Sequence, residues 1–176
     1  QTSEQMLTQQ IHQAREELDY LDTVFDALSR AQTEKDLNEI REELQEQGYL
    51  KRTGGKEKRR PTPMAEPLKF VTSGGYTVLV GRNNKQNDKL TLKTAAGEDY
   101  WFHTQDTPGC HVVLVTAGRA PSESALHDAA VLAAYNSKAR ASSNVPVDYT
   151  RVKFVKKPAG AKPGRVIYTD YKTIFV

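Results

Sequence analysis

From Leu7 onward the apolar side chains fall at Leu7, Ile11, Ala14, Leu18, Leu21, Phe25 and Leu28, a 4-3-4-3-4-3 spacing that draws one narrow stripe along a helix. Gln, Glu, Asp and Arg fill the positions between, so the stripe can be buried only against a partner helix, and residues 1–30 supply none. The spacing predicts a coiled-coil strand whose partner lies elsewhere in a longer chain or on another molecule. Thr33 with Asp36 three residues later predicts a second helix start, with Leu37, Ile40 and Leu44 as its apolar face and Gly48 as its stop.

Residues 51–67 carry six basic side chains, two glycines and three prolines, which can neither continue a helix nor fill a central strand, and they read as a cationic linker. Beyond it the period becomes strand-like. Leu68–Thr72 and Tyr76–Val80 flank Ser73-Gly74-Gly75, a hairpin signal. Tyr100–Thr104 and Val112–Val115 flank a turn at Asp106-Thr107-Pro108-Gly109. Ser122–Arg140 predicts a helix with Ala125, Ala129, Leu132 and Ala133 on the face that packs. Asn83–Thr94 allows a short helix, and Val147–Lys157, Arg165–Tyr168 and Thr173–Val176 read as strands. The expected fold is α+β: a mostly antiparallel sheet with one main packing helix, preceded by an α-helical coiled-coil stub. The divisions are 1–50 for the stub and short helix, 51–67 for the linker and 68–176 for the domain.

Charge separates the two parts. Residues 1–50 hold 4 basic and 12 acidic side chains, net −8, whereas residues 51–176 hold 21 and 10, net +11. No run approaches the roughly 18 apolar residues that cross a bilayer, so membrane insertion is not expected. The single Cys110 cannot form an internal disulfide, and residues 1–30 show neither a basic start nor an apolar signal core, which makes a reducing, cytoplasmic setting the expectation.

Catalysis finds little support. Cys110 and His111 are adjacent in a strand and point to opposite faces, a poor arrangement for proton transfer, although His103 could meet Cys110 across the turn. His103, Cys110, His111 and His127 lack the close pairs that preorganise a metal, and Gly54-Gly55-Lys56 has no phosphate-loop frame. No cofactor or metal is expected, and no enzymatic activity.

Polyanion binding fits better. Between Tyr149 and Thr169 lie Arg151, Lys153, Lys156, Lys157, Lys162 and Arg165 without one acid, and cations of this kind gain affinity for phosphates by releasing counterions. Tyr149, Phe154 and Tyr168 are either core or faces for base stacking. Gly81-Arg82-Asn83-Asn84-Lys85-Gln86-Asn87-Asp88 concentrates amides and a guanidinium, the donors and acceptors that read unpaired bases and sugar hydroxyls, or that cap helices locally. The expectation is that this loop and the cationic final third share one face.

These same residues carry a resemblance. The segment Gly81–Asp88, Asp99-Tyr100-Trp101-Phe102-His103, Pro108-Gly109-Cys110-His111-Val112, and Val147-Asp148-Tyr149-Thr150 through Lys156-Lys157 to Pro163-Gly164 resemble the C-terminal RNA-binding NFACT-R domain of the RqcH/NEMF family, also described in streptococci as fibronectin-binding protein A. The likeness covers about residues 68–176, and residues 1–50 resemble the returning coiled-coil helix before that domain. It implies an RNA-binding module of a ribosome quality-control factor, with tRNA and the large ribosomal subunit as partners in template-free alanine tailing. Arg82, Asn83, Asn84, Gln86, Asn87, Asp88, His103 and His111 are the matched positions that would touch or shape an RNA site, with Arg151, Lys153, Lys156 and Lys157 beside them. A second implied role is a fibronectin- or fibrinogen-binding adhesin displayed at the bacterial surface without an anchor. Cys110 departs from the family's usual Ser, and a thiol is the weaker hydrogen-bond donor.

Overall fold

A computed structural model describes residues 2–52 and 62–176. Most of the cationic linker, residues 53–61, lies outside the described residues. Helix α1 (Ser3–Arg30) starts on a reciprocal capping box between Thr2 and Gln5. Its 28 residues make a rod of about 42 Å at 1.5 Å per residue. Helix α2 (Glu34–Glu46) starts on a second such box, between Thr33 and Asp36.

The two helices meet through Tyr20, Val24 and Ala27 of α1 and Ile40 of α2, with Leu21, Leu44 and Tyr49 at the margin. That inner face is rotated away from the heptad stripe. Leu7 (59 % exposed), Ile11, Leu18 (64 %), Phe25 (66 %) and Leu28 stay in solvent, as a stripe lacking its partner helix would.

The domain that follows is a six-stranded sheet in the order β1-β2-β4-β3-β5-β8, antiparallel throughout. Its strands are β1 (Leu68–Val71), β2 (Thr77–Val80), β3 (Tyr100–Thr104), β4 (Val112–Leu114), β5 (Pro146–Arg151) and β8 (Lys172–Phe175). Both hairpins form as the turn residues predict, with Leu68 opposite Val80 and Phe102 opposite Val112. Helix α4 (Glu123–Tyr135), capped by Ser122, lays Ala125, Ala129, Ala130 and Ala133 on Val78, Val80, Phe102, Val112 and Leu114. Small side chains let its backbone approach the sheet closely.

The opposite face is covered as well. Helix α3 (Asn84–Lys89) runs into a π-helical turn at Leu90–Thr94, and a ribbon of β6 (Val155–Lys156) and β7 (Ile167–Tyr168) lies beside it. Together they bury Leu90, Trp101, Val113, Val152 and Val155. Burial on both sides explains why β4 reads as an unbroken apolar run rather than an alternation. The predicted strand Val147–Lys157 breaks at Val152–Phe154, a 3-10 turn, because the Val152 and Lys153 N–H groups turn back to the Asp99 and Gly97 carbonyls.

Glu43 of α2 is 2 % exposed. Burial raises its carboxyl to about 7, opposed by Tyr20, Asn84 and Lys85. The Tyr20 hydroxyl faces this carboxyl without closing a well-formed hydrogen bond. The folded protein thus holds a proton that the unfolded chain releases near 4.5, so this group's contribution to stability falls between about pH 4.5 and 7. Glu43→Gln is expected to abolish that fall and to raise stability at pH 8 by about 3 kcal/mol. Urea unfolding at pH 5 and pH 8 measures it; parallel pH profiles for the two proteins would refute the assignment.

Candidate nucleic-acid interface

The amide-rich loop faces inward. Asn83 (3 % exposed) caps α3 by accepting from the Gln86 N–H at 2.9 Å, and its Nδ2 donates to Glu39 Oε2 at 2.7 Å. Gln86 Nε2 donates to the same oxygen at 2.7 Å, while its Oε1 accepts from the Arg82 N–H. Asn84 donates to the Thr23 hydroxyl on α1 at 2.8 Å, and Asn87 Oδ1 accepts from the His111 N–H at 3.2 Å. A Cβ on Gly81 would lie 2.0 Å from that Asn87 oxygen, so only glycine fits there. The expectation of free amides facing a ligand is therefore corrected: buried polar groups must find partners, and these find them in α1, α2 and the His111 backbone just before β4.

Arg82 is anchored at the rim of the same junction. Its Nη1 lies 3.3 Å from Asp36 Oδ1, and its Nε donates to the Glu66 carbonyl at 3.0 Å. Burial pushes the Asp36 carboxyl up, but the Gln32 and Thr33 N–H groups and the Arg82 guanidinium outweigh it and hold the group below its ordinary value. Lys85 pairs with Glu46 at 3.0 Å. The polar loop is the seam that fixes the helical arm to the sheet.

His111 is sealed too. The Gly164 carbonyl can only accept, so the contact of 3.0 Å puts the proton on Nε2, and Nδ1 then accepts from the Thr91 hydroxyl at 2.7 Å. Burial drives its pKa down to about 3, with His103 adding to the effect, so the ring stays neutral. His103 is half-buried and stacks on Trp101, centroids 5.7 Å apart and planes 6° from parallel. Its Nδ1 donates to the Thr104 carbonyl, which leaves Nε2 as an acceptor. Burial lowers its pKa as well.

Cys110 is 1 % exposed in the apolar core, and burial pushes its thiol up to about 11. It is neither an activated nucleophile nor placed to touch a ligand, so the departure from serine is a matter of packing.

The cationic final third does not stay free of acids once folded. Lys153 lies 2.8 Å from Glu98, and Arg151 lies over the Tyr100 ring with Glu98 at 3.9 Å. Lys157 is held by Asp88 at 3.1 Å and by the Lys162 carbonyl at 2.7 Å. Arg151 and Lys153 stand at the Tyr100 end of β3, whereas His103 and His111 stand near the other end. The expected single face thus forms only in part: Lys157 and Gly164 meet Asp88 of the amide-rich segment, whereas Arg151 and Lys153 pair with Glu98. Lys156 is exposed, with no ion-pair partner among the described residues.

What the folding does create is a cleft of about 1050 Å³ between α1 and the loop 158–166, floored by Trp101, His103, His111 and Tyr168. Asp88 accepts the Gly164 N–H at 3.1 Å and shapes this loop, and Gly164, at φ +81°, sits where a Cβ would strike Asn84. Lys162 and Arg165 project from the loop, Lys162 over the rings of Tyr20 and Tyr49 and Arg165 at 3.7 Å from Glu16. In the sequence Lys162 and Arg165 are two cations of the charged stretch between Tyr149 and Thr169, with nothing to single them out as site residues. Asp36 is legible in the sequence only as a helix-start residue, and nothing there marks Glu39, one acid among several in an acidic helix.

Comparison with known proteins gives two family matches. The family model of the NFACT protein RNA binding domain matches residues 67–170, and that of the NFACT N-terminal and middle domains matches residues 1–63. The Rqc2 homolog RqcH of Bacillus subtilis is 47 % identical over 174 residues, covering 97 % of this chain and 30 % of the relative. The Streptococcus suis Rqc2 homolog RqcH is 43 % identical over 171 residues, with the same shares covered. This chain therefore spans about 30 % of the length of these curated relatives. The solved C-terminal part of the fibronectin/fibrinogen-binding protein of Streptococcus suis superposes with a TM-score of 0.88 at 42 % identity, over 98 % of this chain and 68 % of that one.

If Glu39 holds the junction, Glu39→Ala leaves two buried amides unpaired and destabilises the protein by about 2–4 kcal/mol. Lys156→Ala, at an exposed site, changes stability by less than about 0.5 kcal/mol. Chemical denaturation of both variants checks the contrast, which equal effects would contradict.

Proposed function

The chain belongs to the NFACT family and carries its RNA-binding domain, and from that premise we propose that it is the RNA-gripping module of a cytoplasmic ribosome quality-control factor. In the full-length protein this module engages tRNA and the obstructed large ribosomal subunit while alanine is added to the stalled chain. The module contributes binding, and the bond-forming chemistry belongs to the ribosome.

One observation carries the reading: the cleft under the loop 158–166 presents Lys162 and Arg165 beside the His103–Trp101 stack, on the domain that the family model matches. Cations neutralise phosphates, and a half-buried imidazole stacked on an indole can meet a base or ribose hydroxyl. Among the residues anticipated from sequence, Arg82, His103 and Lys156 face outward and are the proposed contacts. Arg151 and Lys153 add to the field around Glu98. Asn83, Asn84, Gln86, Asn87, Asp88, His111 and Lys157 shape the site from beneath. Helix α1, with Glu16, Glu17, Asp19 and Asp22 along the cleft, repels phosphates and steers the strand to the loop side.

Crosslinking of the full-length protein in cells, followed by sequencing of attached RNA, is expected to recover tRNA and large-subunit rRNA; recovery of neither would remove the proposal. In vitro, affinity for an unstructured RNA is expected to fall steeply with salt, and Lys162→Ala and Arg165→Ala each to reduce the log–log slope by about 0.7. The same titration with fibronectin is expected to show no dependence on these two residues.

A further inference from the structure

On the other side of the junction, three arginines from distant parts of the chain converge on one notch of about 220 Å³: Arg30 at the end of α1, Arg82 after β2 and Arg140 beyond α4. We propose that this notch binds one phosphate of an unpaired RNA strand, with the neighbouring base stacked on Tyr135 at its rim, a second RNA contact that rests on the RNA-binding reading above.

The arginines are held from behind. Arg30 Nη2 lies 2.9 Å from Asp26 Oδ2, Arg82 Nη1 lies 3.3 Å from Asp36, and Arg140 Nη2 donates to the Ser29 hydroxyl at 2.9 Å. The carboxylates are buried, Asp26 at 6 % and Asp36 at 5 % exposure, while the Arg140 side chain is 40 % exposed. The anchoring anions thus sit inside, three cations against two; Arg30, its side chain 12 % exposed, is held on every nitrogen by Asp26 and the Arg82 carbonyl, and the open guanidinium edges are those of Arg82 and Arg140. Arg82 Nη2 and Arg140 Nε and Nη1 have no hydrogen-bond partner among the described residues. Guanidinium groups already fixed in orientation lose little freedom on accepting a phosphate, and their planar edges match its oxygens.

Tyr135 stands beside these cations. It lines the notch and is 70 % exposed, the most exposed of the large apolar side chains in the described residues. Its ring does no packing that would explain its place, whereas an open aromatic face beside cations is the arrangement on which an unpaired base stacks. The notch is too small for a whole nucleotide, so the phosphate enters and the base remains on the rim.

The test uses the full chain and a fluorescent, unstructured RNA 10-mer, with and without a 5′-phosphate, followed by anisotropy across a salt series, with thermal melting of each variant. Tyr135→Ala is expected to weaken binding roughly tenfold, with unchanged melting temperature and salt slope, and Tyr135→Phe to restore it. Arg140→Ala is expected to reduce the salt slope by about 0.7. Equal losses with and without the 5′-phosphate place an internal phosphate in the notch, and a loss confined to the phosphorylated strand places the terminal one there; either supports the site. Wild-type affinity in Tyr135→Ala, while Lys162→Ala still weakens binding, overturns this site and leaves the RNA-binding reading standing. Absence of RNA binding by the unaltered protein overturns both.

Discussion

A single carboxylate oxygen, Glu39 Oε2, receives two side-chain amides, from Asn83 and from Gln86, each at 2.7 Å. An ionised acceptor with two charge-assisted donors in a partly buried place is costly to break, because either side left alone is an unsatisfied polar group. Around it lie the Arg82–Asp36 pair, the Asn84–Thr23 bond and the buried Glu43. The helical arm meets the sheet through this polar seam, with its own small apolar core confined to Tyr20, Val24, Ala27 and Ile40. The direction in which α1 leaves the domain, and so the position of its uncovered heptad stripe, depends on that seam.

The opposite net charges of the two segments acquire a different meaning in this light. An arm at −8 and a remainder at +11 attract each other. In the fold much of the attraction is spent internally: Arg165 meets Glu16, Lys85 meets Glu46, and Arg140 approaches Asp26. The two exposed pairs contribute little stability individually, and with the Arg140 approach to buried Asp26 they orient the arm. Lys69, Lys89, Lys93, Lys138, Lys156 and Lys172 remain exposed with no ion-pair partner among the described residues.

Local structure was legible because its causes are local. Turn glycines, the Thr2, Thr33 and Ser122 caps and the small face of α4 each act within a few residues, and the hairpins and helices form where those signals stand. The heptad stripe was legible for the same reason, and its exposure agrees with a missing partner helix. The site was less legible. A run of amides has the same composition whether it meets RNA or a buried carboxylate, and the decisive partner, Glu39, lies 44 residues from Asn83 in an unremarkable acidic helix. Tyr135 could not be singled out either, since an aromatic ending an alanine-rich helix reads as packing until its exposure is seen.

The amide loop finds its hydrogen-bond partners within the protein rather than in a ligand. Hydrogen exchange at the backbone N–H groups of Gln86 and His111, which donate to the Asn83 and Asn87 side chains, tests it most directly. Slow exchange in the free protein, unchanged by saturating RNA, is the predicted result. Fast exchange in the free protein that becomes slow only when RNA is added would contradict it.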